Sequence, residues 1–227
     1  MYHIDGQFYQ LGYKQKISFF FISLIINSFG NGLSVASAMG SAPWTASAAN
    51  LSNTTGWQIS IFLAITAVSV AFLNMWLAMR INWLRLLGNI FFDMAFSILV
   101  GVFANYFVSL GIRQLSWWWR IPLDLFGIWK IGVAISIYQR VNSILHPLDD
   151  LTNILRFDYF RGNASKAQMS NFAVAIGISI ICLIISHQIV ALGIGTVMSF
   201  LLQGRNIAWA DRHIFKRLVH GDITGAS

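Results

Sequence analysis

The 227-residue chain has no glutamate, one cysteine and three prolines, and only 10% of its residues are charged, against roughly a quarter in an ordinary soluble domain. So few charges cannot cover a water-facing surface. The single cysteine, Cys182, excludes an internal disulfide framework, and a thiolate metal site needs more than one such ligand. In the middle of an apolar run it reads as packing. No G-x-S-x-G, H-E-x-x-H or G-x-x-x-x-G-K-[ST] string occurs, so the chain is not read as an enzyme and no cofactor is expected. GIGTVM at 193–198 lacks the last glycine of a dinucleotide loop and lies in an apolar run. His146, Asp149 and Asp150 have metal-like spacing, but two acids in a helix's first turn follow from the helix dipole alone, and no metal site is expected. The N-x-[ST] strings at Asn50, Asn53 and Asn163 read as chance in a chain rich in these residues.

What is abundant is apolar: 56% of residues are hydrophobic and the mean hydropathy is +0.64. Six candidate spans follow, at 17–39, 57–79, 84–108, 121–142, 168–186 and 190–211, where about 20 residues cross the hydrocarbon as a helix. Lys14, Lys16 and the A-x-A-like Ala36, Ser37, Ala38 imitate a signal peptide. The first run is read as a retained span, because removing it would delete part of the repeat described below.

With the N-terminus inside, twelve Lys and Arg residues fall in inner segments (Lys14, Lys16, Arg80, Arg85, Arg140, Arg156, Arg161, Lys166, Arg205, Arg212, Lys216, Arg217). Only Arg113 and Arg120 fall outside, and Lys130 lies within the fourth span. Both termini are therefore expected in the cytoplasm, with the protein in the cell membrane. Trp57 and Trp117 to Trp119 mark the outer boundary, and Trp76 and Trp83 the inner one, while Trp129 reads as packing. The net charge of +7 is spread over short segments rather than one stripe, so the expected partner is the anionic headgroups of the bilayer, not nucleic acid.

A shift of 104 residues lays Pro43 on Pro147, and one of 107 lays Gly88 on Gly195. GSAPWTASAANL follows span one, and ILHPLDDLTNIL follows span four. Each half then holds three spans and one short helix started by proline, where the missing amide proton costs nothing. Three is odd, so the halves enter the membrane from opposite sides. The expected fold is an all-α integral membrane protein of six transmembrane helices, arranged as two inverted three-helix repeats at 17–108 and 121–211. An outer loop at 109–120 joins them, a cytoplasmic segment at 1–16 precedes them, and an amphipathic cytoplasmic tail at 212–227 follows. If an insert dips into the membrane, its free amides can hold an anion or polar group; otherwise it lies among the headgroups.

The stretches GNGLSVASAMGSAPW at 30–44, HPLDDL at 146–151 and ALGIGTVMSF at 191–200 resemble the YczE/YitT-like bacterial multi-pass membrane proteins over residues 17 to 205. The resemblance implies a six-helix bundle and brings no established activity. Such proteins tend to carry Asp two places after the first proline; this chain has Thr45 there, while Asp149 stands two places after Pro147.

Polar residues inside spans are costly and therefore informative. Arg85, Asn89 and Asp93 share a face of span three, with Asp93 well inside it. Asp93 reads either as a proton or cation site or as paired with a basic or amide group of another span; Lys130 of span four needs a carboxylate from elsewhere, for which Asp93 is the natural candidate. Asp124 is expected near enough to the outer end to be wet. Thr196, Ser199, Gln203 and Asn206 line one face of span six, and Asn27, Asn31, Ser34 and Ser41 do so near span one. These faces serve helix packing or line a solute path.

The candidate substrate-binding set is Asn31, Ser41, Pro43, Trp44, Asn89, Asp93, Pro147, Asp149, Thr196, Ser199 and Gln203, placed between the inserts and spans three and six. The favoured function is a permease for an unidentified small solute. A substrate-binding membrane subunit of an ATP-driven uptake system and a non-transporting scaffold or regulator remain open, as do a homo-oligomer and a further membrane partner. Residues 205–219 are expected to continue span six as a basic amphipathic helix on the cytoplasmic leaflet.

Overall fold

The structure, a computed structural model, describes residues 1–4, 7–78, 83–188 and 190–220. A short antiparallel hairpin, β1 (Tyr2–Ile4) and β2 (Gln7–Tyr9), pairs Tyr2 with Tyr9 and His3 with Phe8. The helices follow: α1 (Tyr13–Ser37), α2 (Pro43–Thr55), α3 (Ile59–Leu77), α4 (Trp83–Ser109), α5 (Trp117–Val141), α6 (Pro147–Ile154), α7 (Ala164–Ser186) and α8 (Ile194–His213). A 3-10 turn at Ile112–Gln114 precedes α5, and a π turn at Leu155–Tyr159 extends α6.

Helices α1 and α5 stop in the same way. Ala38 (φ 52°) and Asn142 (φ 49°) take the left-handed conformation and return their amides to Val35 O and Tyr138 O. A proline follows five residues later in each case and opens the next helix, with Ala42 or His146 as the residue before it. The expected proline starts are therefore present in both inserts. His146 adds a side-chain cap: its Nδ1 accepts the amide of Leu148 at 3.3 Å.

The helices bury many polar side chains among apolar ones and turn large apolar residues outward, unlike a soluble domain. Asn27, Asn50, Asn89, Asn171, Gln139 and Gln203 are buried. Leu87, Phe91, Met94, Ile98 and Val102 run exposed along α4, and Ile180, Ile181, Ile184 and Ile185 along α7. Lipid solvates such surfaces, whereas water would not. Four helical segments are long and apolar enough to cross a membrane: Tyr13–Ser37, Leu86–Ser109, Trp117–Val141 and Ala164–Ser186. The apolar part of α3, Ile61–Leu77, is shorter, and α8 carries Thr196, Ser199, Gln203, Arg205 and Asn206 along its length. By length and composition alone the described helices thus give four spans, fewer than the six expected.

Helix α1 packs along α5 and α4, and α5 along α8. The inserts cross over: α2 lies on α7, and α6 on α3. At the crossing of α1 and α5 the backbones touch, because a Cβ on Gly30 would come 2.7 Å from Gly127 O, and one on Gly127 would come 2.7 Å from Gly30 O. Trp129 packs on Trp209, whereas Trp57, Trp76, Trp83, Trp118 and Trp119 are exposed.

The C-terminal segment departs from its expectation. Helix α8 ends at His213, and the chain then turns back, burying Leu218 beneath a bridge to Tyr2. The reason is Arg140, whose guanidinium gathers the carbonyls of Ile214, Phe215 and Leu218 into a bend that a continuing helix could not make. Residues 221–227 of the expected tail lie outside the described residues, as do Arg80 and the side chain of Arg85.

Candidate functional site

Two polar clusters in the interior are joined by a chain of hydrogen bonds. The first surrounds the start of α2. Here Asn31, Ser34, Ser41, Thr45 and Ser199 line a cleft of about 30 Å³ walled by Ile128 and Ile131, room enough for roughly two waters. Helix α2 has no side-chain cap, and its start borders this cleft through Ser41, Ala42 and Thr45. Thr196 ties the rim, its Oγ1 donating to Ser41 O at 2.7 Å, and Ser41 N donates to Ala191 O at 3.0 Å. Gly195 packs beside the Asp124 carboxylate. Asp124 is 2% exposed and accepts the Ser34 hydroxyl. The expectation of a wet Asp124 is thereby corrected: α1 and the start of α8 close over it.

The second cluster surrounds the start of α6. Asp149 accepts the Tyr138 hydroxyl, and Asp93 Oδ1 lies 2.9 Å from His146 Nε2. Asn89 receives the amide of Leu145 at 3.2 Å and donates to Asp150 at 3.3 Å. The Pro147 carbonyl accepts Asn74 Nδ2 at 2.8 Å. Burial pulls the His146 imidazole down, but the hydrogen bond to Asp93 and the charges of Asp149 and Asp93 outweigh it, and the ring is held above its ordinary value. Burial is also the main cause that raises Asp149, against the opposing pull of His146 and the Tyr138 hydrogen bond. Asp93 therefore pairs with His146 and not with Lys130, whose ammonium sits over the rings of Phe126 and Trp129 at 5.2 and 4.9 Å. No group of three metal-ligating side chains occurs among the described residues.

Between the clusters, Asn31 Nδ2 donates to Asn27 Oδ1 at 2.9 Å, Asn27 Nδ2 to the Tyr138 oxygen at 3.5 Å, and the Tyr138 hydroxyl to Asp149. A second link is Asn171 of α7. Its Oδ1 accepts Trp44 Nε1 at 3.0 Å, and its Nδ2 donates to Leu148 O at 3.0 Å and Thr152 Oγ1 at 2.8 Å. The second residues of both proline-started helices thus meet at one amide.

Of the expected residues, Asn31, Ser41 and Ser199 line the cleft, and Pro43, Trp44 and Thr196 build its edge. Asn89, Asp93, Pro147 and Asp149 belong to the other cluster. Gln203 is 1% exposed and neither polar atom of its side chain has a partner among the described residues; it follows Ser199 by one turn on the same face of α8. The cleft is built by α1, α2, α5 and α8, so span three borders only the second cluster. Sequence reasoning passed over Tyr138 and Asn171. Asn171 had a signal, an amide inside an apolar span, whereas Tyr138 at a helix end had none.

Fold and site together define a helical, multi-pass type of membrane protein with a polar interior. Residues 14–212 match the model of a family of unknown function, DUF6198, and the chain belongs to that family. No curated protein and no solved structure matches the chain.

Proposed function

We propose that the protein is a permease for a small polar solute, related to the YczE/YitT-like proteins and built in the cell membrane from two inverted three-helix halves with both termini cytoplasmic. In this reading α3 and α8 cross the membrane as well. Helix α8 packs against α5 and α7, and its polar face is turned inward, where protein rather than lipid meets it; α3 packs on the two inserts.

The pairing of equivalent contacts supports the repeat. Asn89 of α4 holds Leu145, two residues before Pro147; Thr196 of α8 holds Ser41, two residues before Pro43. Packing follows the same exchange, since α1 with α4 matches α5 with α8, and α2 with α7 matches α6 with α3.

The observation that carries the functional reading is the meeting of α2 and α6 at Asn171, beside a polar cleft at the uncapped start of α2. Broken helices meeting inside a bundle are where transporters bind solutes. The test uses the chain's single cysteine, which is buried. In a Cys182→Ala background, Thr45→Cys is exposed to a membrane-impermeant maleimide, in intact cells and in inside-out vesicles. A permease exposes Thr45 alternately, so labelling proceeds from both sides. Labelling from one side alone contradicts transport and favours a binding subunit; labelling from neither favours a scaffold.

A further inference from the structure

A third polar cluster, separate from the proposed solute path, lies where α5, the π turn and α8 end. Arg140 and Arg156 are 1% and 7% exposed and converge on one carboxylate, Asp211. Both oxygens of Asp211 are already occupied. Oδ1 accepts Ser136 Oγ at 2.6 Å and lies 3.5 Å from Arg140 Nε; Oδ2 accepts Arg156 Nη2 at 2.6 Å and lies 3.4 Å from His220 Nε2. Arg140 Nη1 serves the carbonyls of residues 214, 215 and 218. Arg140 Nε also donates to Ser136 O and Arg156 Nε to Gly162 O, each at 2.9 Å, so Arg140 Nη2, Arg156 Nη1 and His220 Nδ1 are buried with no hydrogen-bond partner among the described residues.

The charge does not balance either. Two guanidiniums, which stay protonated in proteins, face one carboxylate. A buried charge is tolerated only when paired. Burial holds the His220 imidazole below its ordinary value; the Asp211 hydrogen bond opposes this, and the charges of Arg156 and Arg140 add to it. The ring stacks on Phe157, with centroids 4.7 Å apart, and Arg156 lies 5.0 Å over the same ring. The donors are therefore held in place rather than free to swing to solvent.

We propose that Arg140 and Arg156 bind a phosphate group at this end of the bundle, either inorganic phosphate or the phosphodiester of an anionic lipid headgroup. Guanidinium forks match phosphate oxygens in geometry as well as charge. The π turn places Arg156 one residue before the Phe157 ring that carries it, and such bulges in helices gather at functional sites.

The test measures thermal unfolding of the full chain in a neutral detergent, with sodium phosphate titrated against sodium chloride at matched ionic strength. A parallel arm compares nanodiscs of phosphatidylglycerol with nanodiscs of phosphatidylcholine. Wild type is expected to gain stability saturably with phosphate beyond the chloride control, or with phosphatidylglycerol over phosphatidylcholine. Response to phosphate alone identifies the free ion, and response to phosphatidylglycerol alone identifies the headgroup. Arg156→Gln is expected to weaken the response at least tenfold, while Arg161→Gln, at an exposed cation, leaves it unchanged. Arg140→Gln is not used, because Arg140 also holds the C-terminal bend. Should Arg156→Gln fail to fold, His220→Gln is read in its place and is expected to weaken the response severalfold. The proposal is overturned if neither phosphate nor phosphatidylglycerol stabilises the wild type, or if the response survives the folded variant unchanged.

Discussion

Gly30 and Gly127 face each other at the crossing of α1 and α5, each placed so that a Cβ would come 2.7 Å from the other's carbonyl oxygen. Backbones this close need glycine on both sides. Gly30→Ala and Gly127→Ala are expected to destabilise by about 1–3 kcal/mol each, the usual cost of overpacking. Gly101 and Gly177, helical glycines with open space around them, should show the opposite sign. There alanine gains about 0.5–1 kcal/mol from helix propensity. Thermal unfolding of the four variants in detergent checks both halves of this expectation.

The pairing of His146 with Asp93 makes stability depend on pH. Because the folded imidazole is held above its ordinary 6.5, its contribution is fully present below that value and is lost as pH rises through the higher folded value. Unfolding temperature should therefore fall as pH rises above about 6.5. His146→Gln should flatten that part of the profile, and so should Asp93→Asn. The loss for Asp93→Asn at low pH should be only about 1 kcal/mol, because its side chain is 37% exposed and solvent screens the pair. An unchanged profile in both variants would remove the pair from the account.

Asn171 holds both proline-started helices. Asn171→Leu deletes three hydrogen bonds and strands the Trp44 indole N–H, so a loss of about 2–4 kcal/mol is expected at roughly 1 kcal/mol per bond plus the orphaned donor. Trp44→Phe in the same background should recover part of it. Additive losses in a double-mutant cycle would show that the two groups are not coupled.

Gln203 should trade stability against function. Its amide is buried without partners, so Gln203→Leu is expected to raise the unfolding temperature, by up to about 2 kcal/mol in free energy. The same change should reduce labelling of Thr45→Cys from the cytoplasmic side, since it replaces a polar step of the path by an apolar one. A destabilised Gln203→Leu with unaltered labelling would assign Gln203 to packing.

Much of this architecture was legible in the sequence. Pro43 and Pro147 marked the starts of both inserts. The lipid environment hid the rest. Where the outer face is as apolar as the core, periodicity does not say which face turns inward, so the α1 and α5 crossing could not be located from Gly30 and Gly127. These lie 97 apart, off the offset of the inserts. Pairing across helices was equally hidden: Asp93 reached His146 in the loop before α6, and Lys130 found two aromatic rings on its own helix. The bend after His213 came from a single arginine, Arg140, that sequence reading had counted only as a cytoplasmic charge.

The side of the membrane on which residue 111 lies separates six spans from four. Gly111 follows α1, α3 and α4. If all three cross, it lies opposite the N-terminus; if only the helices that are long and apolar enough cross, it follows two spans and lies on the same side. Paired reporter fusions, with alkaline phosphatase and a cytoplasm-active fluorescent protein, are placed at Gly111 and at Ser227. Two inverted three-helix halves predict phosphatase activity at Gly111 and fluorescence at Ser227. Fluorescence at Gly111 would contradict the inverted halves and the permease reading built on them.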